Sequence, residues 1–233
     1  MNETLIGRAV SRRTQAWFPK FAAFYHIAAM GNWTDVVREQ AGRLEAAELK
    51  PLCHVNGSKA DVGFVRSLGL EVVSDSSDLH EYETPTLELA YRWCCDNPSG
   101  AVAYFHTKGV SAPGNASKAA WRRLMMDAVI SPWKQNIRRL EVADLVGVNW
   151  VDSPDLPHFS GNFWMARADW ISTSLPNPRD HRDRGGPNIM GNSWERWHAE
   201  AWVGANQWHI VDSLVCRNEN FLDPDCRFFD GHR

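Results

Sequence analysis

The stretch AVAYFHTKGV (Ala101–Val110) runs through apolar residues and then presents His106, Thr107 and Lys108 before Gly109. An ammonium followed by a glycine suits a phosphate, because the lysine brings a point charge and the residue without a Cβ lets backbone approach the ligand. His106 fits three roles: a metal ligand, a phosphate donor, or a hydrogen-bonded structural histidine. In HFSGNFWMA (His158–Ala166), His158, Ser160 and Asn162 alternate with Phe159 and Phe163 around Gly161. Such a segment lines a cleft with polar groups on one side and aromatic walls on the other, or forms a core strand with a glycine bulge.

SWERWHAEAW (Ser193–Trp202) reads as a helix carrying Glu195, His198 and Glu200. Glu195 and His198, three apart, share a face and form a Glu-x-x-His pair, whereas His198 and Glu200 point to different faces. Glu200 stands among Ala199, Ala201 and Trp202. A carboxylate in apolar company is either paired in the core or tuned for proton transfer. The mixed-sign RDHRDRGG (Arg179–Gly186) reads as a solvated loop whose arginines are able to close over a diphosphate.

Several classes are disfavoured. No Gly-x-x-x-x-Gly-Lys-Ser/Thr loop and no Gly-x-Gly-x-x-Gly fingerprint is present. The five cysteines form no Cys-x-x-Cys pair, which speaks against a zinc knuckle or disulfide framework and for a reducing, cytoplasmic setting. A net charge of -3 gives no broad cationic field for duplex nucleic acid. No run approaches the roughly 20 apolar residues of a membrane span. Twelve tryptophans, mostly expected in the core, also suit the flat faces of sugars.

The elements that must position these residues alternate along the first half. The strands are FAAFYHIAAM, KPLCHVNG, LEVVSDS and AVAYFHTKGV. The helices between them are NWTDVVREQAGRLEAAEL, ADVGFVRSLG and TPTLELAYRWCCDN, the last with proline in its first turn. Alternation of this kind predicts a mostly parallel central sheet flanked by helices on both faces. Ligands in such sheets bind beyond the carboxyl ends of the strands, which puts His26, Asn56, Asp75, Asp78 and the His106–Gly109 run on one rim.

The second half is more mixed. A long amphipathic helix, SKAAWRRLMMDAVISPWKQNIRRL, is expected to kink or split at Pro132. Short strands follow at DLVGVNWV and QWHIVDSLV, and the loop from Leu175 to Gly191 is the natural mobile cover. The expected organisation is a basic N-terminal extension (1–20) and one domain (21–233), divided into a first half to residue 115 and a second from 116.

VAYFHTKGVS, HFSGNFWMARADWI and HAEAWVG, with FYHIAAMGNW and YETPTLELAY, resemble a family of small glycosyltransferases of bacteria, large DNA viruses and phages. The resemblance spans Phe21 to about Val215 and is most specific at His-Thr-Lys-Gly and Ser-Gly-Asn-Phe-Trp. It implies a GT-A-like fold with a nucleotide-sugar-binding half and an acceptor-binding half. It implies transfer of a sugar from a nucleoside-diphosphate sugar such as a UDP-sugar to a hydroxyl acceptor, a glycan in the first reading. Many GT-A enzymes hold Mn2+ or Mg2+ with Asp-x-Asp where this chain has His106 and Lys108, so a lysine would here neutralise the diphosphate directly. Asp75 and Asp78 remain for a metal or for ribose and base.

By the same resemblance Glu200 is the expected general base, with Glu83 second. Ser160, Gly161 and Asn162 would hold donor sugar or acceptor, and Trp164 would stack on a sugar face. Two alternatives stand beside this reading. One is a phage-type transferase acting on DNA bases, with a local basic cleft from Arg122, Arg123, Arg138 and Arg139. The other is a non-catalytic sugar-nucleotide or carbohydrate-binding protein.

Overall fold

The structure, a computed structural model, describes residues 18–152, 157–186, 194–206 and 209–214. The first half alternates as its hydrophobic pattern requires: β1 (Phe21–Ala28), α1 (Trp33–Ala46), β2 (Leu52–Asn56), α2 (Lys59–Ser67), β3 (Glu71–Ser76), α3 (Thr84–Asp96) and β4 (Ala101–His106). Local chemistry sets the boundaries. Ser58 and Asp61 close a reciprocal capping box at the start of α2, and Pro85 occupies the first turn of α3.

The second half contributes α4 (Ala116–Met125), a π-helical turn (Met126–Ile130), α5 (Trp133–Arg139), β5 (Leu145–Gly147), β6 (Trp150–Val151), β7 (His158–Phe159), β8 (Trp164–Arg167), α6 (Ala168–Ser174), α7 (Pro178–Asp183), α8 (Trp194–Ala201) and β9 (Val211–Ser213). The long helix does split before Pro132, although regular α-helix already ends at Met125. DLVGVNWV is two strands rather than one, because Asn149 turns the backbone at φ 53.

Seven strands form one sheet in the order β3-β2-β1-β4-β8-β5-β9. β1 to β4 are mutually parallel, β8 runs antiparallel to both its neighbours, and β5 and β9 are parallel. β6 and β7 make a separate two-stranded ribbon. The chain is therefore a mixed α/β domain with a mostly parallel central sheet covered on both faces. One face packs Val36, Val37 and Leu44 of α1, Val65 of α2 and Val129. The other packs Leu87 and Ala90 of α3, Ile171 of α6 and Ala199 of α8.

β4 is the centre of the sheet and is buried along its whole length. Period-2 alternation sends Phe105 to the α1 face, while Tyr104 and His106 look toward α3. The register aligns His54, His26 and His106 in one row across β2, β1 and β4.

The loop expected to be a cover is partly helical in its described portion. Arg179 of α7 binds Glu88 at 2.9 Å and Glu81 at 3.5 Å, and Arg182 donates to the His80 carbonyl. These arginines fasten the loop to α3 and the turn before it instead of facing a diphosphate. The remainder of that loop from 187, like the N-terminal extension up to residue 17, lies outside the described residues.

Candidate functional site

The end of β4 is fixed from both sides. Thr107 is buried, its hydroxyl accepts from the Ala28 N–H at 3.0 Å, and its own N–H donates to the His26 carbonyl at 3.1 Å. From the α1 face, Tyr25 donates to Gln40 at 2.6 Å, and Gln40 donates to the His106 carbonyl at 3.2 Å. Thr107 is thus a staple for the strand end, not a ligand contact. The next residue leaves the sheet with its carbonyl held by the buried Arg122 at 2.9 Å.

Lys108 turns toward α8, where its Nζ donates to Glu200 Oε1 at 2.9 Å. Glu200 Oε2 accepts the Gly161 N–H at 3.4 Å, and the Gly161 carbonyl faces His106 Nε2 at 2.9 Å. The other ring nitrogen of His106 lies 3.5 Å from Glu83 Oε1. Glu83, the N-cap residue of α3, accepts the Tyr104 hydroxyl at 2.6 Å and the Asn162 side-chain amide at 2.7 Å, both on Oε2. Glu83, His106, Lys108, Gly161 and Glu200 therefore form one continuous cluster.

Solvent still reaches it. Side-chain exposure is 25% for Lys108, 15% for Glu200, 15% for Glu83 and 10% for His106. Burial by itself would raise the Glu200 carboxyl, but the Lys108 ammonium, with help from His106 and His158, holds it below the usual glutamate value. Glu83 is lowered as well: burial acts upward and is outweighed by His106, His26 and the Tyr104 hydroxyl.

Gly161 is required twice over. Its φ is 89°, and a Cβ there would sit 2.6 Å from Met125 Sδ and 2.7 Å from Trp121 Nε1. The following residue, Asn162, holds φ 57°, is fully buried and also donates to the Ala199 carbonyl while accepting from Trp164 Nε1. Asn162 positions Glu83 and the end of α8, and its burial keeps it from a sugar.

Other expected positions are moved away from ligand contact. Trp164 is fully buried and stacks on Tyr104 at 5.3 Å, so no sugar reaches its face. His26 is buried against Thr86 at 2.9 Å, beneath the cluster. Asp75 pairs with Lys59 at 2.6 Å on the edge strand β3, with two strands between it and β4, and Asp78 caps the short 3-10 turn Leu79–Glu81. His198 is buried on Thr84 at 2.7 Å, and the side chain of Glu195 lies outside the described residues. His158 is half-buried beside Trp197, and Ser160 is half-buried with its N–H on the Asn149 carbonyl.

Gly109 has φ 89° and lines a groove of about 380 Å3 with Asn32, Glu39, Asn115, Arg122 and Arg123. Arg122 and Arg123 are both paired with Glu39, and Arg139 with Asp212, so these arginines make no bare cationic cleft. Among the described residues no three His, Cys, Asp or Glu side chains converge on a point. The strand end itself does not fit a divalent cation, since an ammonium occupies it and both His106 nitrogens already face acceptors.

Sequence reasoning missed Tyr104, Tyr82 and the His54–Asn56 pair. Tyr104 was within reach, because it lies two residues before His106 on the same strand face. Tyr82 adopts φ 48° and ψ −129°, a region glycine favours, and its carbonyl accepts from Asn56 at 2.9 Å. Asn56 is in turn held by His54 at 2.7 Å, and His54 by Ser74 at 2.9 Å.

Among curated proteins none matches this chain. Its sequence matches the model of one family over residues 32–207, a span that contains Glu83, His106, Lys108, Gly161 and Glu200, and the chain therefore belongs to the family described as Domain of unknown function (DUF8361).

Proposed function

We propose that this chain is a glycosyltransferase that moves a sugar from a nucleoside-diphosphate sugar to a hydroxyl acceptor, with a glycan as the preferred class of acceptor. One observation carries the reading: a lysine and a carboxylate meet, both partly exposed, at the carboxyl end of the central strand, flanked by a histidine and a second carboxylate. The change from a parallel first half to a mixed second half supports a GT-A-like arrangement in which the two halves serve donor and acceptor.

The chemistry divides between the two charged groups. As the bond from the anomeric carbon to the phosphate oxygen breaks, its electron pair leaves with the nucleoside diphosphate, and Lys108 stabilises that charge. The acceptor oxygen bonds to the anomeric carbon and gives its proton to Glu200. Glu200 suits the base role better than Glu83. Both oxygens of Glu83 are committed, Oε2 to two donors and Oε1 to His106, whereas the strong partner of Glu200 is a flexible lysine. Glu83 is then a positioning residue for His106.

A divalent cation does not fit the strand end, so no step is assigned to one. The test is thermal stabilisation by UDP, GDP, dTDP and CDP, each with and without Mn2+. Stabilisation by one of them at micromolar concentration, lost in Lys108→Met, is the expected result. No stabilisation by any would overturn the reading.

The Lys108–Glu200 pair also fits a protein that binds a sugar nucleotide without turnover. Glu200→Gln separates the two: it abolishes transfer and spares donor binding if Glu200 is a base, and changes neither strongly in a binding protein. A DNA-base acceptor is disfavoured by the pairing of Arg122, Arg123 and Arg139 with acids.

A further inference from the structure

The two roles just assigned compete in the structure as it stands. Lys108 gives a phosphate less of its charge while it neutralises Glu200, and Glu200 takes a proton less readily while an ammonium sits 2.9 Å from it. The geometry shows how the conflict resolves. Lys108 has a long, flexible stem and is the most exposed member of the cluster at 25%, whereas Glu200 is anchored by its backbone in α8 and by the Gly161 N–H. The lysine is the partner that can move.

We infer that Lys108 and Glu200 form a proton-coupled anion site, in which a phosphate group of the ligand draws Lys108 away and leaves Glu200 to take up a proton. The inference rests on the donor reading above and adds the order of events: the base becomes competent only after the diphosphate is bound.

The groups facing Glu200 decide how far this goes. Lys108 comes from the loop after β4, His106 from β4 and His158 from β7, and all three favour the ionised carboxylate. Glu83, at the start of α3, opposes it. Gly161 supplies a neutral donor. Removing Lys108 removes the largest favourable charge, so burial and Glu83 drive the carboxyl upward against what His106 and His158 still supply. With a diphosphate alone, a fraction of Glu200 gains an O–H bond with a proton drawn from buffer. In turnover the fraction still ionised, freed of its ammonium, takes the proton of the acceptor hydroxyl as that oxygen bonds to the anomeric carbon. The same exchange keeps the resting site inert, because the carboxylate is neutralised until a substrate arrives.

The experiment is titration calorimetry of the full chain with the nucleoside diphosphate that stabilises it, at pH 7.5, in buffers of different ionisation enthalpy. Wild-type protein is expected to take up a fraction of a proton per bound ligand, and its affinity to fall with rising pH by at most about tenfold per unit. Glu200→Gln is expected to bind with no such uptake, and both outcomes together support the inference. Binding with no uptake by the wild type, or with equal uptake by wild type and Glu200→Gln, overturns it while leaving the donor reading intact. If no nucleoside diphosphate binds, the donor reading fails, and inorganic pyrophosphate serves as the probe for the anion site by itself. Pyrophosphate bound with uptake that Glu200→Gln removes sustains the inference, and no binding, or binding without such uptake, overturns it.

Discussion

The Tyr104 hydroxyl lies 2.6 Å from Glu83 Oε2, joining the central strand to the N-cap residue of the helix that covers it. Burial and the charge of Glu83 raise the Tyr104 phenol well above its ordinary value, so the tyrosine is a firm donor and the glutamate a firm acceptor. Tyr104→Phe removes this bond while Asn162 remains on the same oxygen. We expect a loss of about 1–3 kcal/mol in denaturant unfolding and an upward shift of the Glu83 carboxyl, read by carbon-detected NMR titration.

Gly161→Ala tests the close approach between the turn and α4. The substitution places a Cβ against Met125 and Trp121 in a backbone region that disfavours it, and a destabilisation of about 2–4 kcal/mol is expected. Stability unchanged within about 0.5 kcal/mol would show that this turn has freedom the geometry denies it.

Lys108→Met leaves the Glu200 carboxylate without its ammonium. The Glu200 carboxyl rises, and the variant loses stability more at pH 8 than at pH 5, where the carboxyl can accept a proton. Adding Glu200→Gln restores most of the loss, which a double-mutant cycle by chemical denaturation measures directly. Independent, additive effects would mean that the two side chains do not act as a pair.

Acid weakens the fold through its buried histidines. Burial lowers His26 to about 3 and His181 to about 4, from 6.5 in the unfolded chain, so between these values the unfolded state binds more protons. Stability is therefore complete above pH 6.5 for these groups and is lost as pH falls, by at most about 1.4 kcal/mol per unit for each. The lowered Glu83 and Glu200 add losses of the same sign below the ordinary glutamate value. Denaturant midpoints from pH 7.5 to 4 are expected to fall steadily, with a shallower slope in His26→Gln.

Chelation is expected to be without effect on diphosphate binding. With an ammonium where a cation would stand, the thermal shift given by the nucleotide is the same in EDTA and in Mn2+. A shift seen only with Mn2+ would place a metal near these residues and displace Lys108 from its assigned part.

The first half of the fold was legible because β1 and β4 are apolar runs ended by polar residues, α2 carries a capping box and α3 a proline in its first turn. The second half was not, because its strands are two to four residues long and owe their state to neighbours distant in sequence, as Trp164 does to Tyr104. The cluster itself was readable in part. Lys108, Glu200, His106 and Glu83 were named from local composition and resemblance and are now found together. Trp164 and Asn162 were misassigned for one reason: an aromatic and an amide near a glycine read alike whether they line a cleft or seal a core. Tyr82 left no trace in composition, since a tyrosine at φ 48° is imposed by its surroundings and not by its type.

β4 is flanked on one side by β1, already made, and on the other by β8, which begins sixty positions later in the chain, at the pairing of Tyr104 with Trp164. A nascent polypeptide that has emerged only as far as Val110 thus carries an open, largely apolar edge that is available to any other strand. Synthesis of the later segment seals that edge and delivers Glu200 to Lys108 in the same late stage, so a fragment that stops short should be both sticky and inert.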